Sequence, residues 1–298
     1  MRSRLIALTC LGLVACGATA NGSAGRSPNP SPTVVGAHAV MLNSGGRDRT
    51  YLMFRPASLD PKLPAPLVLA LHGYTENASS MEGATGLDDE AVKAGFLVVY
   101  PQGNDNSWNA GTCCGPAQAE NLDDVGFIRQ VIDQLVTTGQ ADPSRVFVTG
   151  LSNGGLMAYR LACELSDRIA AIASVSGAMV APPCHPAHPV SVLEMHGADD
   201  PIIPIGGGSV AGLGSFGPTL ATLQSWARLD GCGRTPTVTE NGITTISRWN
   251  GCRERAHVVL EVIKGAGHSW FGPADYIAGE PDANEVVWDF FSQAPARA

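Results

Sequence analysis

Residues 145–162 combine a short apolar run, a glycine-flanked serine and a helix-compatible segment, in that order. The run 145–149 leads into Gly150-Leu-Ser-Asn-Gly154, and residues 155–162 can continue as a helix. A serine in so tight a turn takes a strained backbone conformation, and glycines on either side remove side-chain clashes. The pattern predicts a nucleophile elbow, with Ser152 above a sheet and beside a helix N-terminus that favours negative charge.

The Gly-x-Ser-x-Gly pattern is weak evidence by itself, because the chain contains 35 glycines and short motifs need structural context. A glycine-rich turn with a helix-capping serine is the alternative interpretation. The apolar strand before the motif and the helical segment after it favour the elbow.

The spacing of apolar segments along the chain predicts an α/β fold. Residues 67–71 are almost wholly apolar, as expected of a parallel strand that is covered on both faces. Strands are predicted at 50–55, 67–71, 96–100, 145–149, 169–175, 190–195 and 258–263, and helices at 81–94, 121–136, 218–229 and 283–291. This alternation predicts a mostly parallel central sheet with helices on both faces, in one domain over residues 36–294.

The N-terminus has the features of an export signal, assigned to residues 1–16. A basic start precedes the apolar segment Leu5–Val14, which is too short to span a bilayer as a stable helix. Leu13-Val-Ala-Cys16 also resembles a bacterial lipobox, in which Cys16 is lipidated and becomes the mature N-terminus. Ordinary cleavage after Ala18 or Ala20 is the alternative.

Both processing routes take the protein out of the cytoplasm. Residues 17–35 are rich in Pro, Ser and Gly and are expected to form a flexible tether. We therefore expect a protein that is extracellular, or anchored to the bacterial cell envelope through a lipid on Cys16.

An even number of cysteines after the signal predicts disulfides in an exported protein. Cys232 with Cys252 is the first pairing we expect, because strand-like segments within 235–249 could bring the two together. No Cys-x-x-Cys pair is present to indicate a zinc knuckle. The cysteines after the signal are Cys113, Cys114, Cys163, Cys184, Cys232 and Cys252.

Composition and charge narrow the class of partner. The chain is 44% hydrophobic and 15% charged, with a formal net charge of −8. The composition is typical of a compact globular protein. The acidic balance argues against a nucleic-acid partner, and it is compatible with a neutral ester or polysaccharide.

A serine nucleophile needs a base and an acid that orients the base, and after this elbow the chain order is serine, acid, histidine. The acid is expected in the turn after residues 190–195, where Asp200 precedes a proline that favours extended backbone. Asp199 is the alternative acid, and both could be ordinary turn residues. His268 follows residues 258–263 in a glycine-rich loop and is the candidate base.

Two backbone amides should stabilise the oxyanion of such a reaction. One is expected from Asn153, and the other from the loop after the central apolar strand, where Tyr74 is preferred and Thr75 is second. We interpret His72 as a residue that braces this loop. His196 is interpreted as a structural residue beneath the acid loop.

An ordered set of motifs resembles the polyhydroxybutyrate depolymerase/feruloyl esterase group, which is carbohydrate esterase family 1-like. The resemblance covers residues 36–292 and implies an α/β-hydrolase fold, ester cleavage by Ser152, Asp200 and His268, and neither a metal nor an organic cofactor. Members often have Pro where Phe271 stands, a difference that bears on substrate preference at the rim beside the histidine. The motifs are His72-Gly73, Trp108–Cys114, Asp123–Phe127, Gly150–Gly155, His196–Pro201 and Gly267–Trp270.

The resemblance implies hydrolysis of carboxylic esters through an acyl-enzyme. The candidate substrates are feruloyl or acetyl esters of plant polysaccharide and polyhydroxyalkanoate esters. Trp108 and Trp270 are expected either to form a flat apolar platform for an aromatic acyl group or polymer chain, or to pack as ordinary core or rim residues. An exported acyltransferase with the same triad and a catalytically silent binding protein are the alternatives. We expect a monomer with no nucleic-acid partner and with membrane contact only through Cys16.

Overall fold

The computed structural model of the chain describes residues 37–180, 183–272 and 279–297. All of them belong to one compact unit that spans residues 34–298. The predicted export signal at 1–16, the lipidation site at Cys16 and the tether at 17–35 lie outside the described residues. None of the described helices is long and apolar enough to cross a bilayer.

A ten-stranded sheet organises the described residues. Its strands are β1 (His38–Ser44), β2 (Arg47–Phe54), β3 (Ala65–Leu71), β4 (Leu97–Pro101), β5 (Ala141–Leu151), β6 (Ala171–Val175), β7 (Ser191–Gly197), β10 (Thr237–Asn241), β11 (Thr244–Trp249) and β12 (Val258–Ile263). Strands β8 (Gly208–Val210) and β9 (Gly214–Phe216) form a separate hairpin. The strand order is β1-β2-β4-β3-β5-β6-β7-β12-β11-β10. Strands β4 to β12 in this order run parallel, and both edges of the sheet are antiparallel.

Helices cover both faces of the sheet. They are α1 (Ala78–Thr85), α2 (Leu87–Ala94), α3 (Gly115–Ala119), α4 (Asp124–Thr137), α5 (Asn153–Glu164), α6 (Thr219–Leu229) and α7 (Ala283–Gln293). Leu67, Leu69 and Leu71 of β3 belong to the core with α4, α5 and α6, whereas Val68 and Ala70 belong to the core with α1, α2 and α7. Because successive strand residues point to opposite faces, one apolar run fills two cores.

The predicted α/β fold is confirmed, with local differences. The single helix predicted at 81–94 is divided into α1 and α2, because Gly86 adopts a left-handed φ of 64° and ends α1. Strand β1 is absent from the sequence prediction, because its residues are only partly buried at the sheet edge and apolar periodicity does not mark it. Residues within 235–249 form the antiparallel pair β10 and β11.

Disulfides tie the loops to the sheet and helices. The predicted Cys232–Cys252 bridge is present and links the end of α6 to the segment after β11. Cys163 near the end of α5 is bonded to Cys184, and the adjacent residues Cys113 and Cys114 are bonded to each other. Disulfides persist in oxidising compartments, so they indicate an extracellular protein.

Candidate active site

Ser152 lies between β5 and α5 in the strained conformation that the sequence predicts. Its backbone has φ 54° and ψ −118°, and its side chain does not cap α5. A Cβ added to Gly154 would run into the backbone oxygen of Leu71, and one added to Gly150 would lie 2.9 Å from the same oxygen. Side chains at these two positions would therefore push the elbow away from β3. The two glycines allow the serine turn and the end of β3 to touch.

The acid and base candidates are hydrogen-bonded to each other at the carboxyl ends of neighbouring strands. His268 Nδ1 lies 2.7 Å from Asp200 Oδ2. Asp200 follows β7 and His268 follows β12, two strands that pair in parallel. Strands β5, β6, β7 and β12 lie side by side and run parallel. Ser152, which follows β5, therefore emerges at the same C-terminal ends of the strands as Asp200 and His268. Ligands bind at the C-terminal ends of the strands in open α/β sheets.

The loop geometry separates Asp200 from Asp199. Oδ1 of the buried Asp200 accepts hydrogen bonds from the amides of Ile202 and Ile203, at 2.8 and 2.9 Å. Burial opposes ionisation, but the bonds from His268 and these two amides outweigh it and lower the pKa of Asp200. Asp199 is exposed, and its side chain has no hydrogen-bond or ion-pair partner among the described residues. Asp200 is therefore the residue placed to orient a histidine.

The His268 loop is held against the strand next to the elbow. Ser176, at the end of β6, donates its hydroxyl to the backbone oxygen of Ser269 at 3.0 Å. The amide of Asp199 donates to Ala266 at 3.0 Å. Within the described residues, neither the Ser152 hydroxyl nor His268 Nε2 has a hydrogen-bond partner. Such contacts are often long in unliganded enzymes and tighten when substrate binds.

Two backbone amides lie unpaired where the sequence predicts an oxyanion hole. Neither Tyr74 nor Asn153 donates its N–H to an acceptor in the described part of the chain. The amide of Thr75, the second choice, donates to Asn106 at 2.8 Å. The geometry therefore favours Tyr74 over Thr75 as the donor.

The Asn153 side chain fixes the loop opposite the elbow. Its Oδ1 accepts from the Trp108 amide at 2.7 Å, and its Nδ2 donates to the Trp108 oxygen at 3.1 Å. His72 also braces this region, since Gly103 donates to Nε2 at 2.9 Å and Nδ1 lies 2.8 Å from the Gly73 oxygen. Burial lowers the pKa of His72 to about 4. A neutral His72 with both ring nitrogens engaged matches the loop-bracing interpretation.

The predicted aromatic platform is corrected by the structure. Trp108 and Trp270 are only 0% and 3% exposed. The indole N–H of Trp108 donates to the His72 oxygen, and that of Trp270 donates to Asn284. The two indoles therefore pack in the core, which was the alternative interpretation, and offer almost no surface to a substrate.

Phe271 is likewise not a rim residue. Its side chain is fully buried in the core with α7. Its backbone takes φ 57°, and its oxygen accepts from the Ala283 amide at the start of that helix. The Phe at this position therefore packs in the core with α7, and it does not lie at a rim beside His268.

A buried polar pair behind the acid is absent from the sequence prediction. Glu194 and His196 on β7 are both 0% exposed, and Glu194 Oε1 lies 2.9 Å from His196 Nδ1. The sequence places His196 beneath the acid loop as a structural residue but assigns no role to Glu194. Two polar residues at i and i+2 in a central parallel strand are the signal that could have revealed the pair, because such strands are normally apolar.

The described residues contain no cluster of three or more His, Cys, Asp or Glu side chains that could hold a metal ion.

A cavity of about 510 Å³ opens beside α4, lined by Ile132, Pro143 and Arg297 among others. Pro143 lies near the start of β5, whereas Ser152 follows its end. The cavity therefore lies near the N-terminal end of β5, and Ser152 lies at the C-terminal end of the same strand.

Comparison with known proteins agrees with this geometry. Residues 117–212 match the family described as Phospholipase/Carboxylesterase. The chain is 31% identical over 268 residues to "Putative esterase NocK" from Nocardia uniformis subsp. tsuyamanensis, covering 83% of this chain and 77% of that protein. The chain belongs to the α/β-hydrolase esterase group. It is therefore a carboxylic-ester hydrolase, as the sequence predicts.

The chain is also similar to other esterases. The chain is 28% identical to "Feruloyl esterase C" from Emericella nidulans, over 83% of this chain and 84% of that protein. The chain is 26% and 28% identical to two longer relatives, and it covers only 34% and 45% of their respective lengths. A solved acetyl xylan esterase from Aspergillus awamori superposes with a TM-score of 0.63 at 17% identity, over 86% of this chain and 99% of that one. This last similarity concerns the fold.

Proposed function

We propose that the chain is an exported serine esterase in which Ser152, His268 and Asp200 form a catalytic triad. The observation that carries the proposal is the 2.7 Å hydrogen bond between His268 and Asp200, at the sheet edge that also carries the strained serine. In the proposed reaction, His268 Nε2 takes the Ser152 proton as the hydroxyl oxygen attacks the ester carbonyl. Asp200 holds the imidazole in the required tautomer and stabilises the imidazolium.

The remaining steps follow from the same groups. The Tyr74 and Asn153 amides donate to the tetrahedral oxyanion. The intermediate collapses as His268 returns the proton to the leaving alcohol, and an acyl group stays on the Ser152 oxygen. Water, deprotonated by His268, then attacks the acyl carbonyl, and the bond to Ser152 breaks as His268 returns that proton to the Ser152 oxygen and the acid leaves. No group other than these residues and water is needed for the atoms and charges to balance.

The proposed substrates are feruloyl or acetyl esters carried by plant polysaccharide. The support is that relatives carry the names feruloyl esterase and acetyl xylan esterase. A net charge of −8 disfavours an acidic polymer and is neutral toward uncharged xylan esters. Polyhydroxyalkanoate is the competing polymer within the same reaction class.

A side-by-side assay tests the substrate. Purified protein is given methyl ferulate, acetylated xylan and polyhydroxybutyrate film, and released acid is measured. We expect the highest kcat/KM on one of the first two, and preferential release from the film would overturn the substrate assignment. Adding an acceptor alcohol separates hydrolysis from acyl transfer, because a transferase would form the new ester in preference to free acid.

The Tyr74 side chain is predicted to contact the acyl group of an aromatic ester. The ring is 37% exposed and lies against Gly115, where any Cβ would collide with it. Tyr74→Ala removes the ring and keeps the backbone N–H. We expect kcat/KM for methyl ferulate to fall about tenfold, the value of a lost aromatic contact, with a change below about threefold for p-nitrophenyl acetate.

Tyr74→Phe is the matched control, because it keeps the ring and should keep the preference for methyl ferulate. An equal loss on both esters in Tyr74→Ala would show that the ring only shapes the loop. That outcome would remove Tyr74 from the determinants of substrate choice.

We further infer that the protein acts outside the cytoplasm as a monomer, either lipidated on Cys16 or freely secreted. Its partner is an ester substrate, and no nucleic-acid partner is expected from its acidic charge. The intact mass of the protein isolated from its native host distinguishes lipid on Cys16 from cleavage after Ala18 or Ala20.

A further inference from the structure

Glu194 and His196 form a second carboxylate–imidazole pair behind the proposed triad. Glu194 Oε1 lies 2.9 Å from His196 Nδ1 and accepts from the Gly177 amide at 3.1 Å. Glu194 Oε2 accepts from the Tyr159 hydroxyl at 3.0 Å. The Glu194 and His196 side chains are fully buried. Such a pair is costly to bury unless every polar atom is satisfied, so its presence in a core strand calls for a role.

The hydrogen-bond partners determine where the protons lie. His196 Nε2 is 2.8 Å from the Ile203 backbone oxygen, which can only accept, so Nε2 carries a proton. The contact between Nδ1 and Oε1 then needs a second proton, which either atom can hold. The pair is therefore an imidazolium with a carboxylate, or a neutral imidazole with a carboxylic acid. In both forms Glu194 and His196 share one proton.

The shared proton is linked to the proposed triad through one short loop. His196 Nε2 donates to the backbone oxygen of Ile203, and the amide of Ile203 donates to Asp200 Oδ1 at 2.9 Å. His196 Nε2 also lies 3.5 Å from Asp200 Oδ2, the oxygen that bonds to His268. Glu194 and His196 thus act on the same carboxylate by position and by charge.

We propose that Glu194 and His196 are positioning residues for ester hydrolysis, which hold Asp200 in place and set the pH range in which Asp200 and His268 work as a pair. The proposal rests on the proposed triad. When the shared proton lies on His196, the imidazolium charge faces Asp200 and stabilises its ionised form. Removing that charge should let the Asp200–His268 pair take up a proton at higher pH.

The charged groups around His196 are few among the described residues. Glu194 lies on its own strand, Asp200 on the following loop, and Tyr159 approaches Glu194 from α5. Glu261 on the neighbouring β12 faces the other side of the sheet, where it lines a cavity with residues such as Leu193. Burial would lower the pKa of His196, but the bond and charge of Glu194 outweigh it and raise that pKa.

Glu194→Gln tests the proposal with nearly unchanged volume. An amide cannot share the proton, so His196 becomes a neutral imidazole that keeps its Nε2–H but no longer places a positive charge next to Asp200. We expect the acidic limb of the kcat/KM profile to move to higher pH by about half a unit or more, given the effect of a nearby charge on pKa. A residue with a merely structural role would lower kcat or the melting temperature without moving the limb.

Glu261→Gln is the matched control, since it removes a carboxyl that is also largely buried, on the adjacent strand and the opposite face. This control should keep the wild-type pH profile. An unchanged profile in Glu194→Gln, or an equal shift in both variants, would overturn the proposal. A wild-type enzyme that is inactive on all esters would instead count against the proposed function.

Nitrogen-15 NMR of the histidine rings in the wild-type protein gives a second test that needs no variant to fold. We expect His196 Nε2 to stay protonated from about pH 5 to pH 9, well past the ordinary range of histidine titration. The proton between Nδ1 and Glu194 Oε1 should give a strongly deshielded, hydrogen-bonded proton signal, whichever atom holds it. Loss of that proton near the ordinary range of histidine titration would overturn the proposal of a shared proton.

Discussion

Ser152→Ala should reduce kcat for p-nitrophenyl acetate by about 10⁴-fold or more, because the variant has no oxygen to form the acyl-enzyme. Loss of a triad nucleophile in other serine hydrolases has effects of this order or larger. The fold should be unchanged, since the Ser152 side chain makes no hydrogen bond within the described residues and does not cap α5. The measurements are steady-state turnover and the thermal unfolding midpoint.

Ser176→Ala is the control for Ser152→Ala. Ser176 also has a positive φ, 50° against 54° for Ser152, and it follows the neighbouring strand β6. Its hydroxyl holds the His268 loop through Ser269, so this variant should lose activity modestly while a fluorophosphonate still labels Ser152. Wild-type turnover in Ser152→Ala, or labelling of a different serine, would end the triad assignment. Wild-type protein that the probe does not label would favour a silent binding protein.

Asp200→Asn is expected to lower kcat by about 10³- to 10⁴-fold, because the amide can hold His268 in the wrong tautomer and cannot stabilise the imidazolium. The bonds from His268 and the loop amides overcome burial and lower the pKa of Asp200, so the wild-type group is ionised throughout the neutral range. The deficit of the variant should therefore persist from about pH 6 to pH 9, well above the pKa of an ordinary aspartate.

Asp199→Asn is the matched control for Asp200→Asn. The two aspartates are adjacent in the chain, but the Asp199 side chain is exposed and has no partner in the described structure. Its kcat should stay within about threefold of the wild-type value, as expected for a surface substitution. Similar losses in both variants would mean that charge at this loop matters and that the His268 contact does not. Activity of Asp200→Asn within about tenfold of wild type would reject Asp200 as the acid, given the loss expected for a triad acid.

Contacts among the buried residues His72, Trp108 and Asn153 show how the backbone around the proposed oxyanion hole is held. The Trp108 backbone is paired with the Asn153 side chain, and the Trp108 indole holds the His72 oxygen. The bonded pair Cys113–Cys114 follows Trp108 in the chain, and the Cys114 amide donates to the Trp108 oxygen. This arrangement matters because donors in an oxyanion hole work only when they are held in advance of the reaction.

The elbow and the order of the candidate triad residues could be predicted from the sequence, because both depend on local pattern. Glycines around Ser152 predict a tight turn, and Asp200 and His268 each follow a predicted strand. Parallel strands bring their carboxyl ends to one edge, so chain order was enough to predict that the three residues gather there. Hydrophobic periodicity likewise predicted the two-sided core.

Only the tertiary structure decided which side chains are buried at the site and which face it. The motifs around Trp108 and Trp270 look alike whether the ring lines a pocket or packs beneath it, and here both pack beneath it. The pairing of Glu194 with His196, and the choice of Tyr74 over Thr75, depend on partners that the fold brings together. Local pattern specifies an element and its position, whereas exposure and hydrogen bonding depend on what the rest of the fold brings against it.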